Sequence, residues 1–516
     1  MSRCPTLVIA GTHSGAGKTS FTLALARSLA RRGREIQTYK VGPDFLDPTY
    51  LALASDRPCY NLDGWMAGHD HCRRLFARTT TDADYALVEG VMGLFDGADA
   101  QSDEGSTAHG MGRSFAALVK GSTTFQTDLR FTGVVANHCG SERHTALLSD
   151  SLQAAGLPPL LGAIPRGAFP KLASRHLGLV TADRGQLPES LLDALADALE
   201  RNLSLEKLFP PTPSETGAQQ AAVPDDHPEF REFQDDARVI LGKSHAGTDA
   251  TPTAVRSTAG EPGNTIPRIR RNSSQMSLFP EEGSEPTAAA AAIAEQKVAG
   301  ATARLRIGVA RDAAFHFYYQ DLFDALQASG CEVVFFSPLD DRRLPEGISG
   351  LYLGGGYPEL HAERLAENGE MLAAIRAYAD SERPLYAECG GLMYLSRGIE
   401  TAGRFYPFAG VLPARTRMLS GKKALGYVEV ALTEDSLWGR RGDLLRGHEF
   451  HYSELIDDPV SDPAWRKVYS LRRRRTDTVE TEGYQNGAIL ASYTHLHYAS
   501  RPAAVARFLE RCGGTS

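Results

Sequence analysis

TLVIAGTHSGAGKTSFTLALARSLARRG, running from Thr6 to Gly33, sets the fold of the first half of this chain. Thr6 to Ala10 is an apolar run of the length of one buried strand. Phe21, Leu25 and Leu29 then recur at the spacing of one helix face, and Gly33 after Arg31 and Arg32 reads as the stop. Between strand and helix, the loop Gly11 to Ser20 supplies Gly15, Gly17, Lys18 and Thr19. Glycines there let backbone N–H groups approach phosphate oxygens, and the helix N-terminus adds a favourable dipole. Lys18 is placed to reach β and γ phosphates, and Thr19 to ligate Mg²⁺. Five residues separate Gly11 from Gly17, one more than the usual phosphate-loop spacing.

Outward from this loop, Glu35 to Val41, Tyr85 to Val88 and Gly133 to Ala136 read as further buried strands separated by helical stretches. That alternation predicts a parallel sheet with helices on both faces. The strand ends carry acids. KVGPDFLDP sets Asp44 and Asp47 on a turn fixed by Pro43 and Pro48, and EGVMGLFD brings Glu89 and Asp96 after the strand at Tyr85. Carboxyl ends of parallel strands face the crevice where ligands bind, so Asp44 and Glu89 are candidate Mg²⁺ groups. Taken singly, each acid reads as a helix cap or a solvated turn, but three acids at strand ends next to a phosphate loop point to a metal. Asn137, after VVA, is a candidate for reading an adenine edge, or a turn asparagine.

From about Pro210 to Ala303 the composition shifts to Pro, Ser, Thr, Gly, Ala and charge. Such a stretch buries too little apolar surface to offset chain entropy and reads as a disordered linker. Within it, IRRNSSQMSLF reads as a docking peptide or as plain linker. Regular periodicity resumes at Arg304, with strands at Leu305 to Ala310, Glu332 to Ser337, Gly350 to Leu353 and Pro384 to Ala387, and a helix at Asp321 to Ala328. The expected organisation is a nucleotide-binding domain at 1–209, a linker at 210–303 and a second α/β domain at 304–516.

The second domain carries YAECGGLMY, Tyr386 to Tyr394. Cys389 follows a strand and precedes Gly390 and Gly391, so a sharp turn presents its thiol at a helix N-terminus, which lowers a thiol pKa. A base is still required, and His495 in NGAILASYTHLHY is the candidate. Gly355 and Gly356 of the GGGY stretch, with the Gly390 amide, are candidate oxyanion donors. A buried structural thiol is the alternative for Cys389, and spacing alone does not join it to His495.

Bulk properties narrow the class. The chain has 516 residues, 55 Lys+Arg against 63 Asp+Glu and a formal net charge of −8, which gives no pull toward nucleic acid or an anionic membrane. Seven cysteines at scattered spacings indicate neither a disulfide framework nor a zinc site, and fit a reducing cytoplasm. No apolar run approaches a membrane span of ~18 residues. The apolar N-terminal run passes straight into the glycine loop, as a first strand would and a signal peptide would not.

GTHSGAGKTS, KVGPDFLDP, NLDGWM, VEGVMGLFDG, NHCGSERH, LGGGYPELHAERLA, AECGGLMYL and SYTHLHY together resemble the cobyrinate a,c-diamide synthase family, glutamine-dependent amidotransferases of corrin biosynthesis. The resemblance spans roughly residues 4–205 and 303–513. It implies a phosphate-loop domain similar to dethiobiotin synthetase, followed by a class I glutaminase-like α/β domain. It also implies use of ATP and Mg²⁺, glutamine as ammonia donor through Cys389 and His495, and a corrinoid polycarboxylate as acceptor. Thr19, Asp44 and Glu89 would then hold the metal, Asp47 and Asp96 would belong to the acceptor site, and Asn137 to the adenine pocket. Hydrogenobyrinate or nickel-sirohydrochlorin would serve the same chemistry, and the sequence leaves a homodimer open.

Three departures from the family pattern shape the expectations. His497 stands where class I glutaminases usually place Glu, which implies a dyad. The linker is long. After GSTA the chain passes directly from Ala108 to His109, so a helix and a sheet strand are expected to be missing. That omission keeps open a rival reading, a nucleotide-dependent switch with an impaired synthetase half.

Overall fold

Seven parallel strands form the sheet of the N-terminal half in the computed structural model, which describes residues 4–94, 113–125, 129–172, 174–175, 178–179, 187–209, 237–242, 304–421, 423–474 and 478–513. The strands are β1 (Thr6–Gly11), β2 (Ile36–Val41), β3 (Tyr60–Leu62), β4 (Tyr85–Glu89), β5 (Phe131–Cys139), β6 (Leu160–Pro165) and β7 (Ala237–Gly242), in the spatial order β3-β2-β4-β1-β7-β5-β6. Leu7 and Ile9 on one face of β1, and Thr6 and Ala10 on the other, are buried, as a strand covered on both faces requires. Helix α1 (Lys18–Ala30) packs Leu25 and Leu29 inward, in agreement with the periodicity of the opening stretch. Its outer face meets α2 (Glu189–Glu200) through Arg27–Asp193 and Arg31–Asp197 contacts of 2.7 Å.

Strand β7 corrects the expected organisation. Ala237–Gly242 lies inside the stretch read as linker, yet it pairs in parallel with β1 over its whole length and with β5 on its other edge. It occupies the place between β1 and β5 where a strand would otherwise be lacking. The physical reason is that a sheet needs a strand with free backbone groups at that position, whatever its place in the chain. The rest of 210–303, like the junction at Ala108 and His109, lies outside the described residues. The residues up to 246 and those from 304 onward pack as one compact unit.

The C-terminal half is built on a ten-stranded mixed sheet. Its parallel part comprises β8 (Arg306–Ala310), β9 (Glu332–Phe336), β10 (Gly350–Leu353), β11 (Leu385–Glu388) and a strand at Ile489–Ser492, ordered β9-β8-β10-β11 and then Ile489–Ser492. Strand and helix positions match the sequence reading to within a residue or two, including α3 (Gln320–Ala328). The sheet then continues antiparallel and ends at the edge strand His495–His497, which pairs with Leu444–His451. Among the described residues no helix is long and apolar enough to cross a membrane.

If β7 completes the sheet, Val239→Pro should destabilise it, because proline removes an N–H from a strand paired on both edges. A loss of about 1–3 kcal/mol, from the missing N–H and the unsatisfied carbonyl it leaves, is expected in chemical unfolding of the full chain. Unchanged stability would mean that β7 does not hold β1 to β5.

Candidate active site

The phosphate loop is held in the shape its glycines permit. Gly17 caps α1 at φ 87°, and a Cβ placed there would lie 2.4 Å from Asn137 Nδ2, so this position requires glycine for both conformation and space. Asn137 is thereby set against the loop, its Nδ2 directed at the Ala16 carbonyl at 3.5 Å. Lys18 is buried and its ammonium donates to the carbonyls of His13 and Met92 across the loop. Gly15, Gly17, Lys18, Thr19, Asp44, Asp47, Glu89 and Asn137 line one cleft of about 500 Å³. Lys171, from a segment the sequence reading did not single out, joins them at its rim.

At the cleft floor the hydroxyl of Thr19 donates to Glu89 Oε1 at 2.7 Å and faces Asp47 Oδ2 at 3.3 Å. Asp47, rather than Asp44, therefore stands beside Thr19. Asp44 caps its own turn, its Oδ1 accepting from the Leu46 and Asp47 amides at 2.8 and 3.1 Å. Asp96 lies outside the described residues.

Sequence reasoning missed Lys40. It ends β2, and its buried ammonium bridges Asp47 at 2.5 Å and Glu89 at 2.8 Å. Burial opposes its charge, but Glu89 and Asp47 outweigh burial and hold the ammonium pKa above its ordinary value. Glu89 is pushed up to about 7 by burial, against the pull of Lys40. Asp47 is lowered, because Lys40 outweighs burial. The signal in the sequence was a lysine inside an otherwise buried strand, IQTYKV.

The thiol centre lies at the carboxyl end of β11. Cys389 adopts φ 49° and ψ −104° between that strand and the short helix Gly390–Leu395, a strained turn for a residue with a side chain. Its side chain meets that of His495, and both are buried. A Cβ on Gly355 would meet His495 Cε1 at 2.4 Å, and one on Gly390 would lie 3.0 Å from the Gly356 amide nitrogen. Gly355, Gly356 and Gly390 thus lie close around the centre.

The unforeseen member is Glu388. His495 Nδ1 lies 3.1 Å from Glu388 Oε1, and the same carboxylate accepts from the hydroxyls of Tyr352 and Tyr386, each at 2.9 Å. The acid thus comes from the residue before the cysteine, not from two positions after the histidine. Burial would discharge His495, but Cys389 and Glu388 outweigh it and raise its pKa to about 10. His497 faces elsewhere: its Nε2 lies 3.8 Å from Asp321, which also takes a 2.7 Å contact from His71 of the N-terminal half. The basic residues Arg417 and Lys423 both pair with Glu454, and Lys422 lies outside the described residues.

Two family models match the chain: a CobQ/CobB/MinD/ParA nucleotide binding domain over residues 7–180, and a CobB/CobQ-like glutamine amidotransferase domain over residues 306–503. A cobyrinate a,c-diamide synthase of Syntrophotalea carbinolica is 45% identical over 99% of this chain and 100% of its own length. One from Leptospira interrogans (strain Fiocruz L1-130) is 35% identical over 99% of each chain. A hydrogenobyrinate a,c-diamide synthase of Stutzerimonas stutzeri is 38% identical over 98% of each. A solved glutamine amidotransferase, 18% identical, aligns with 40% of this chain and 99% of its own at a TM-score of 0.30. With the phosphate cleft in one half, the Cys389–His495 centre in the other, and relatives that match almost end to end, this chain belongs to the a,c-diamide synthase family of glutamine-dependent amidotransferases.

Proposed function

We propose that this protein uses ATP and glutamine to convert the a and c acetate carboxylates of cobyrinic acid to amides. The observation that carries the reading is that one compact unit holds both a phosphate cleft with a carboxylate pair and a Cys–His–Glu centre. Neither half completes the reaction alone. A carboxylate resists attack by ammonia, so its oxygen first takes the γ-phosphoryl group of ATP, giving an acyl phosphate and ADP. Lys18 and the loop amides sit where charge moves between phosphates.

The residues present fit Mg²⁺. Thr19, Asp47 and Glu89 offer hard oxygen donors on one side of the cleft, and Glu89 Oε2 is buried without a hydrogen-bond partner. When bound, the metal would supply charge neutralisation at the phosphates. Lys40 balances the two carboxylates. Asp44 and Asn137 line the same cleft, with Asn137 as the candidate for the adenine pocket.

In the other half, the Cys389 thiolate attacks the side-chain carbonyl of glutamine. The C–N bond breaks, ammonia leaves with a proton from His495, and a glutamyl thioester remains. Water, giving its proton to His495, releases glutamate and restores the thiol. Backbone amides at Gly356 and Gly390 stabilise the oxyanion, and Glu388 orients the imidazole through Nδ1. Ammonia then attacks the acyl phosphate, forming the amide and expelling phosphate. The enzyme is read as cytoplasmic, acting on small molecules without nucleic acid or membrane.

Incubation of the purified protein with ATP, Mg²⁺, glutamine and cobyrinic acid should give a diamide by mass spectrometry. Hydrogenobyrinate and nickel-sirohydrochlorin are the parallel acceptors to test. A product with one of these and not with cobyrinic acid would move the substrate assignment, and no product with any would end the reading. Cys389→Ser should abolish glutamine-supported amidation and spare amidation supported by ammonium chloride, whereas Lys18→Ala should abolish both and leave basal glutamine hydrolysis. Amidation surviving in Lys18→Ala would remove Lys18 from its role.

Glu388→Gln should lower glutaminase kcat by about 10²-fold. Losing the carboxylate disfavours the imidazolium, so the His495 pKa falls from about 10 and the alkaline limb of kcat/KM moves to lower pH. An unmoved alkaline limb would show that Glu388 only packs.

A further inference from the structure

The turn between β2 and the helix Asp47–Ser55 touches both reaction centres. Its residue Asp47 stands at the floor of the phosphate cleft, against Lys40 and Thr19. Two residues earlier, the Phe45 ring lies on the glutaminase centre, 5.0 Å from the ring of His495, 5.4 Å from that of His448, 4.7 Å from Tyr319 and 5.1 Å from Phe317 in a stacked pair. Phe45 is buried, in a cluster with Leu46 and Met66 of its own half and Phe317 and Tyr319 of the other.

The segment joining these points is stiff. Asp44 Oδ1 ties the amides of Leu46 and Asp47, and Asn61 Nδ2 donates to the carbonyls of Gly42 and Asp44 at 2.8 and 2.7 Å. Pro43 and Pro48 restrict the flanking dihedrals. A shift of Asp47 is therefore not absorbed locally and must move the ring two residues away.

Both members of the thiol centre are shielded, with Cys389 4% and His495 1% exposed, and Phe45 supplies the cover that the N-terminal half lays on the histidine. Charge gives Asp47 a reason to move. Its carboxylate is held by Lys40, and a nucleotide phosphate with its cation competes for both partners. Any free energy by which that ligand favours one position of Asp47 biases the position of Phe45 by the same amount.

We propose that Phe45 is a positioning residue that links the two half-reactions, holding His495 covered while the phosphate cleft is empty and releasing it when Asp47 engages a nucleotide. The proposal rests on the amidotransferase reading above.

Two readouts test it on the full-length protein. The first is glutamine hydrolysis with and without ATP, Mg²⁺ and cobyrinic acid. Stimulation by about fivefold or more, the ordinary range of coupling between sites, is expected for the parent. In Phe45→Ala the ratio should fall below about twofold through a raised basal rate, and Phe45→Leu should lie between. The second is alkylation of Cys389 by iodoacetamide, followed by peptide mass spectrometry, with and without a non-hydrolysable ATP analogue and Mg²⁺. The analogue should accelerate labelling in the parent and leave the rate in Phe45→Ala unchanged.

An unstimulated parent in both readouts, or a ratio in Phe45→Ala equal to that of the parent, would overturn the link. The functional reading fails separately, by absence of amidation with ammonium chloride, and the alkylation test stands without it. Phe45→Leu guards against a folding defect, since it keeps an apolar side chain in the cluster.

Discussion

A buried ammonium between two carboxylates is the interaction on which the nucleotide half depends. Lys40 reaches Asp47 and Glu89 from near the end of β2, one strand in from the sheet edge, with the Thr19 hydroxyl completing the group. Removing one member of a buried ionic set typically costs about 3–5 kcal/mol, because a charge is left unpaired in a poorly solvating interior. The same set is poised for exchange. A carboxylate pair balanced by a lysine can hand part of its charge to a phosphate-bound cation without leaving the interior uncompensated. On the proposed reading, structural integrity and response to a nucleotide reside in the same four side chains.

The second centre solves a related problem differently. A histidine this deeply buried would ordinarily lose its proton, yet contact with Glu388 and the nearby Cys389 reverses that preference. Tyr352 and Tyr386 hold the carboxylate in place by donating to both of its oxygens. Strain at Cys389 is part of this arrangement: the positive φ that turns the thiol toward His495 also lets Glu388, one residue earlier, reach the other ring nitrogen, Nδ1. Adjacent residues on one strand end thereby serve opposite sides of the imidazole.

The two halves are joined by specific polar and aromatic contacts. Tyr60 and Arg78 meet Asp324, His71 meets Asp321, and Tyr427 meets Asp63, while Phe45 crosses to the ring of His495. The exposed Arg78–Asp324 pair is worth about 0–1 kcal/mol, but Asp63 and Asp321 are buried, and a partner lost there leaves a polar group unsatisfied in the interior at about 1–3 kcal/mol or more. Together these groups keep the turn at 43–47 in contact with His495.

Local patterns were enough to read the phosphate loop, the strand-to-helix turn at Cys389 and nearly every parallel strand, because each depends on residues close in the chain. Periodicity, glycine placement and apolar run length are short-range properties, and both folds follow from them. The partners of these groups were not legible in the same way. Lys40 and Glu388 looked like ordinary strand residues, and only the sheet brought one to Asp47 and Glu89 and the other to His495. Ala237–Gly242 read as part of a linker, since nothing local marks a short apolar run as the strand a distant sheet needs. The sequence by itself therefore determined which chemistry the chain carries and on which elements. The tertiary structure decided which charges meet, which strand fills the central place, and that one turn touches both centres, because burial and pairing across hundreds of residues are properties of the packed interior and not of any local stretch.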